Sequence, residues 1–202
     1  MEKCQVNKLF RNYLLAPPRC MFCGSERCTQ EIPLCKTCFD KYVSAALDGC
    51  DDCGALPINC HCFAVKNCAA HYWLFNYNKA EIKDMVNALK RSRDIHAFTF
   101  LAARLADAIY ITTNKAPPYD CVCYVPRNPK TKRLYNHDHA EELAIQLARF
   151  LKLPCLPLLN HTGVKGEQKQ LAREFRGDAA KLRFEMNEAM LVNGKLPYKA
   201  PL

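Results

Sequence analysis

The sequence predicts an α/β protein in two parts, a double zinc ribbon within residues 1–70 followed by a parallel-sheet module over 71–202. Three observations carry this reading. Eight of the fourteen cysteines fall into four tight pairs near the N-terminus. Strand-like and helix-like patterns then alternate along the rest of the chain, as they do where helices cross over between parallel strands. Charge divides in the same place: residues 1–70 carry a net +1, and residues 71–202 carry +8 of the total +9.

The four pairs are Cys20-x2-Cys23, Cys35-x2-Cys38, Cys50-x2-Cys53 and Cys60-x-Cys62, the first three separated by equal gaps of eleven residues. A two-residue knuckle lets two thiolates bend back onto one ion, and two knuckles complete a tetrahedral zinc site. Four pairs therefore supply ligands for about two Zn²⁺, and residues 18–70 read as a double ribbon. Pairing in sequence order closes the shorter loops and is preferred, with an interleaved arrangement as the alternative. Cys68 or His61 could replace Cys62 as a ligand. Large hydrophobes are few in this segment, so metal must supply much of its stability. Eight thiolates and two zinc ions would take the ribbon to roughly −3 by formal charge, a poor sign for binding DNA on its own.

A disulfide framework would need an oxidising compartment. Met1-Glu2-Lys3-Cys4-Gln5 carries no apolar signal-peptide core, and no run of about eighteen apolar residues suggests a membrane span, so a cytoplasmic location is expected. Cys4, Cys28, Cys68, Cys121, Cys123 and Cys155 remain outside the pairs. The last three sit in apolar runs, where a cysteine behaves as a small buried hydrophobe. Ahead of the ribbon, Leu9, Phe10, Tyr13 and Leu14 recur at helical spacing.

In the second module, residues 72–77 (Tyr-Trp-Leu-Phe-Asn-Tyr) read as an aromatic strand. Ile82, Met85, Val86 and Leu89 mark one helix face, and Phe98, Leu101, Ala102, Leu105 and Ile109 a second. Residues 121–125 form an apolar run ending at Pro126, expected to be a buried strand. Ala140, Leu143, Ala144, Leu147 and Leu151 mark a further helix, with Glu141 and Glu142 well placed in its first turn. Another strand is expected over 154–159 and a helix around 168–182.

Directly after the strand at 121–125, Arg127, Lys130, Lys132 and Arg133 place four cations in seven residues. A basic loop at the C-terminal end of a parallel strand, feeding a helix near Asn136, makes a phosphate trap: arginine offers paired donors and a helix N-terminus offers free N–H groups. The bland alternative is a solvated basic loop. Lys165, Gln168, Arg173 and Arg176 form a weaker cluster that reads as a solvated helix face. His137 and His139 flank Asp138 and are read as turn histidines rather than metal ligands.

Taken in order, these residues resemble the ComF family, competence-associated proteins that join an N-terminal double zinc ribbon to a phosphoribosyltransferase-like domain of type I. The resemblance spans about residues 18–195. It rests on the succession of cysteine pairs with the Cys53-Gly54 step, and on Phe75-Asn76-Tyr77 through Leu89-Lys90. Val125-Pro126 followed by Arg133-Leu134-Tyr135-Asn136 is similar to the family's Val-Pro strand end and Arg-Gly-Phe-Asn-Gln loop. Gln168-x2-Leu171-x4-Arg176 and Phe184 match its later elements. Leu134 stands where the family has Gly and His137 where it has Gln, so a tight glycine turn is not expected at 134.

The resemblance implies phosphate contacts from Lys90, Arg127, Arg133, Asn136, Gln168 and Arg176, with phosphoribosyl pyrophosphate as the substrate of the full-length family. It also implies single-stranded DNA and other competence proteins as partners. After Gly194-Lys195 the family continues into an apolar strand and an Asp-Asp-x-x-Thr-Thr-Gly-x-Thr loop that grips ribose and 5-phosphate; this sequence reads Leu196-Pro197-Tyr198-Lys199-Ala200-Pro201-Leu202 instead. A truncated gene product, or a chain that kept binding without catalysis, is the expectation, and no catalytic residue is assigned. The alternative from another class is a zinc-ribbon interaction adaptor whose α/β part is a scaffold.

Overall fold

A computed structural model describes residues 18–27, 32–50, 53–55, 60, 62, 70–75, 80–91, 94–114, 118–163 and 182–190. The expected N-terminal helix, the helix at 168–182, residues Asn76 and Tyr77, and the segment 191–202 lie outside these. The chain forms two units, Met1–Lys115 and Ala116–Leu202. The boundary expected at residue 70 and this spatial division differ, because two long helices after residue 80 cluster with the cysteine-rich part.

Among the described residues the first unit holds three helices. Helix α1 (Lys36–Leu47) buries Tyr42 and Ala45, and Asp48 closes it by donating its N–H to the Ser44 carbonyl at 3.0 Å. Helix α2 (Ala80–Arg91) buries Ile82, Met85 and Leu89, the periodic face read from the sequence, and its basic last turn (Lys90, Arg91) suits the negative end of the helix dipole. Helix α3 (Ile95–Thr112) begins where the Asp94 carboxylate accepts the His96 N–H at 3.0 Å. It buries Ala97, Phe98, Leu101, Ala102, Ala106 and Ile109. The Tyr42 ring meets Phe100 edge-on at 5.3 Å and Phe75 at 6.2 Å, joining α1 to α3 and to the aromatic segment.

Two expectations change here. Tyr72 through Phe75 form no strand; Tyr72 accepts a hydrogen bond from the Thr112 hydroxyl at 3.1 Å, and Phe75 packs on Tyr42. These aromatics cover helices instead of pairing in a sheet. Helix α3, read from the sequence as an amphipathic helix face with no membrane span expected, is also long and apolar enough to cross a membrane by length and composition alone. Its buried face belongs to the core of this unit, and Arg104 and Asp107 pair at 3.1 Å on its exposed side.

In the second unit, Asn128 caps a short helix α4 (Pro129–Tyr135) by accepting the Lys130 N–H, and Asn136 ends it in the left-handed region at φ 54°. Helix α5 (His139–Leu151) follows, closed by Lys152 at φ 56° and by the Leu153 N–H donating to the Ala148 carbonyl at 2.9 Å. Its buried positions are Ala144, Gln146, Ala148 and Leu151; Ala144, Ala148 and Leu151 share the side the periodicity marked, and Gln146 is buried on the other. Strands β1 (Leu159–His161) and β2 (Phe184–Met186) pair antiparallel, with Leu159 opposite Met186, Asn160 opposite Glu185 and His161 opposite Phe184.

The fold is therefore mixed helix with a small antiparallel sheet, and the expected parallel sheet is reduced among the described residues to one bridge. Val122 pairs parallel with Cys155: the Val122 N–H donates to the Pro154 carbonyl and the Leu156 N–H to the Val122 carbonyl, both at 2.9 Å. The order strand segment, helix α5, strand segment is the expected one, but the ladder does not extend. Pro154 has no N–H to carry it backward, and the Leu158 N–H that would carry it forward donates to the Leu156 carbonyl at 2.9 Å instead. Nor is the segment 121–125 buried, since Cys123 is exposed and Val125 is 55% exposed.

Candidate metal centres and an arginine-lined cavity

Cys20, Cys23, Cys35 and Cys38 form one cluster, and Cys50, Cys53, Cys60 and Cys62 a second; within each, all four sulfur atoms lie within 4.8 Å of one another. These are the sets in sequence order. Cys23 and Cys35 are 3.6 Å apart and Cys53 and Cys60 3.8 Å. Four sulfurs at the usual zinc–thiolate distance of about 2.3 Å on a tetrahedron sit about 3.8 Å apart, so the donor sets fit zinc. All eight cysteines are free of disulfides.

The backbone of two pairs is the same object. In Cys20-x2-Cys23-Gly24, the Gly24 N–H donates to the Cys20 carbonyl at 2.9 Å and the Cys20 N–H to the Ser25 carbonyl at 2.7 Å. In Cys50-x2-Cys53-Gly54, the Gly54 N–H donates to the Cys50 carbonyl and the Cys50 N–H to the Ala55 carbonyl, both at 2.8 Å. Both glycines are left-handed, at φ 72° and 68°, the conformation that lets each knuckle fold back on its metal side. The repeat of Cys-x2-Cys-Gly was the sequence signal for this.

Cys35 and Cys38 correct the double-ribbon expectation. They do not form a second knuckle: Cys35 is the N-cap of α1, and the Phe39 N–H donates to its carbonyl at 2.9 Å. The first centre thus joins one knuckle to a helix N-terminus, whose dipole favours thiolate. Tyr42 and Ala45, three apart on the buried face, were the missed helical signal.

The thiols differ in acidity. Hydrogen bonding to the Ser25 hydroxyl lowers the Cys23 thiol to about 6, against the opposing effect of burial. Burial and the neighbouring thiols push Cys38 well up; Cys60 rises for the same reason. Hydrogen bonding with Cys53, then burial, pushes Cys62 up to about 12. Four thiols this close resist joint ionisation, and a divalent cation is the partner that makes four thiolates affordable. Cys20, Cys50 and Cys60 are buried, while Cys23, Cys53 and Cys62 are exposed.

The second unit holds an open cavity of about 630 Å³ whose lining includes Arg127, Arg133, Asn136, Asn160, His161 and Glu185. Arg127 and Arg133, the two arginines singled out by the sequence, are both on it. Lys132, Arg133 and Lys130 lie on α4 rather than in a loop. Asp138, 2% exposed, accepts the Ala140 N–H at 3.0 Å and the Arg127 N–H at 2.6 Å, tying the strand end to α5. The trap expected at the N-terminus of this helix is therefore taken by a carboxylate of the chain itself. Glu141 binds Lys132 at 2.7 Å and the Tyr124 hydroxyl at 3.0 Å, so Lys132 is already neutralised. The Arg127 guanidinium lies 4.5 Å over the Tyr135 ring.

The left-handed turn that Leu134 could not supply is made by Asn136, two residues later. His137 has Nδ1 3.0 Å from the Tyr135 carbonyl and Nε2 buried without a partner. Lys90 belongs to the first unit, in the last turn of α2. Gln168 and Arg176 lie outside the described residues. Cys121 and Cys155 are half-buried and raised above the ordinary thiol value, chiefly by burial. Asn160, His161 and Glu185 carried no motif, because the register of two strands far apart in sequence brings them to the cavity.

Comparison with family models, with curated proteins and with solved structures finds no match for this chain.

Proposed function

We propose that this is a cytoplasmic, zinc-stabilised, ComF-type protein whose phosphoribosyltransferase-like second unit binds phosphate groups, in the service of single-stranded DNA uptake together with other competence proteins. The observation that carries it is the convergence of Arg127 and Arg133 on one open cavity, with the Arg127 backbone pinned by buried Asp138. Two guanidinium groups with paired donors match the oxygens of a phosphate, whether on a nucleotide, a pyrophosphate or a strand backbone. The ordered cysteine pairs, the Val125-Pro126 strand end and the Arg133-to-Asn136 stretch support the family reading. Zinc, about two ions per chain, serves structure in this reading.

The test is calorimetric titration of the zinc-loaded chain with pyrophosphate, phosphoribosyl pyrophosphate and a short oligo-dT at several salt concentrations. Binding should weaken as salt rises, and Arg127→Ala with Arg133→Ala should abolish it. Binding unaffected by the double substitution would remove this assignment.

A further inference from the structure

The first metal centre opens onto a cavity that a purely structural zinc site does not need. Two of its four sulfur donors, Cys23 and Cys38, line a space of about 170 Å³ together with Phe22, Ile82 and Met85. Lys41 of α1 and Asp84 of α2, both exposed, are its charged members. None of the second cluster's cysteines lines it. Resting on the metal assignment, we propose that Cys23 is a site of reversible oxidation, reached through this cavity by a small organic hydroperoxide, and that its oxidation frees the first metal ion ahead of the second.

Of the four sulfurs, Cys20 is buried, Cys35 and Cys38 are half-buried and Cys23 is exposed. A thiolate is the nucleophile toward peroxides, so the accessible one reacts first. The walls of Phe22, Ile82 and Met85 are apolar, and shedding water from a hydrocarbon group against them favours an organic hydroperoxide over hydrogen peroxide. Lys41 and Asp84 carry opposite charges, so the cavity has no net pull on an anion and suits an uncharged oxidant. The Cys23 thiolate attacks the terminal oxygen, the O–O bond breaks, and the alkoxide leaves as an alcohol after taking a proton from solvent. The Cys35 sulfur, 3.6 Å away, then attacks the sulfenic acid on Cys23; an S–S bond forms, the S–O bond breaks and hydroxide departs. Two thiolates are oxidised and one hydroperoxide is reduced. The sulfurs need only close to about 2.0 Å, a small movement at this separation. The centre keeps two donors of its four, too few for a closed tetrahedral site. A thiol reductant reverses the step.

The test treats the zinc-loaded chain with cumene hydroperoxide or hydrogen peroxide and follows zinc release with a chromogenic chelator. Oxidised cysteines are mapped by differential alkylation and mass spectrometry. Cumene hydroperoxide should release one ion about tenfold faster than the other, the worth of burying part of one phenyl group, with Cys23 in a disulfide within its own cluster. Dithiothreitol and fresh zinc should restore the metal content. Lys41→Trp and Asp84→Trp each add bulk at the cavity from an exposed helix position. Both should remove the preference and leave the hydrogen peroxide rate unchanged. Equal release from the two clusters, earlier release from the Cys50 cluster, or a preference unchanged in both tryptophan variants overturns this proposal while leaving the metal assignment intact. Absence of zinc from the untreated chain overturns both.

Discussion

The carboxylate of Asp138 accepts the backbone N–H of Arg127 at 2.6 Å across eleven residues of sequence, while its other oxygen caps helix α5 through the Ala140 N–H. One buried acid therefore sets both where the strand end stops and where the helix starts. It should matter to stability and to the cavity together. Asp138→Ala leaves two backbone donors without a partner and should cost about 1–3 kcal/mol in urea denaturation of the zinc-loaded chain. Asp138→Asn keeps one acceptor oxygen and should cost less. Equal stability of Asp138→Ala and the parent would show that the tie is not formed.

Metal content is the most direct check on the cysteine clusters. Protein purified under reducing conditions should carry about two zinc ions per chain by elemental analysis, and Cys20→Ser or Cys50→Ser should each lower this to about one. Loss of both ions on either single substitution would mean that the centres are not independent. Absence of bound zinc in the parent would dispose of the assignment.

The knuckle glycines should respond differently from their neighbour Gly49. A methyl group at Gly24 or Gly54 meets nothing within 4 Å, so alanine there costs only the left-handed backbone, about 1–2 kcal/mol. At Gly49 the added carbon falls against the Gly54 carbonyl, inside the second knuckle. Gly49→Ala should therefore release zinc to a chelator faster than Gly24→Ala, and selectively from the Cys50 cluster. The reverse order would contradict the knuckle geometry.

Alkaline pH should loosen the second unit. Burial and then the hydrogen bond to Glu141 raise the Tyr124 phenol above its ordinary value, and the Glu141 hydrogen bond raises Lys132. A group raised on folding stabilises fully below its unfolded value and stops doing so as pH climbs through its folded one. For both groups that window opens above about pH 10. Absorbance titration at about 295 nm should show Tyr124 and the buried Tyr42 ionising after the other tyrosines, and Tyr124→Phe should shrink that late component without removing it. A late component of undiminished size in Tyr124→Phe would refute the assignment.

The sequence by itself determined the features that depend on neighbours along the chain. Cysteine spacing carried the four pairs, since a knuckle closes within two residues. The faces of α2, α3 and α5 were legible because burial repeats every three to four residues, as in Ile82, Met85 and Leu89. Arg127 and Arg133 stood out as a local density of cations.

Tertiary structure alone decided what non-local contacts control. The second half of the first metal centre sits on a helix because Cys35 caps α1 and Tyr42 packs on Phe100. Pairing of residues 122 and 155 stops at one bridge because Pro154 has no N–H to extend it backward and the Leu158 N–H, the next donor forward, binds the Leu156 carbonyl. Asp138 takes the helix end that a phosphate would have used. Asn160 and Glu185 join the arginines only through an antiparallel register between segments 25 residues apart, and no local pattern encodes a partner at that distance.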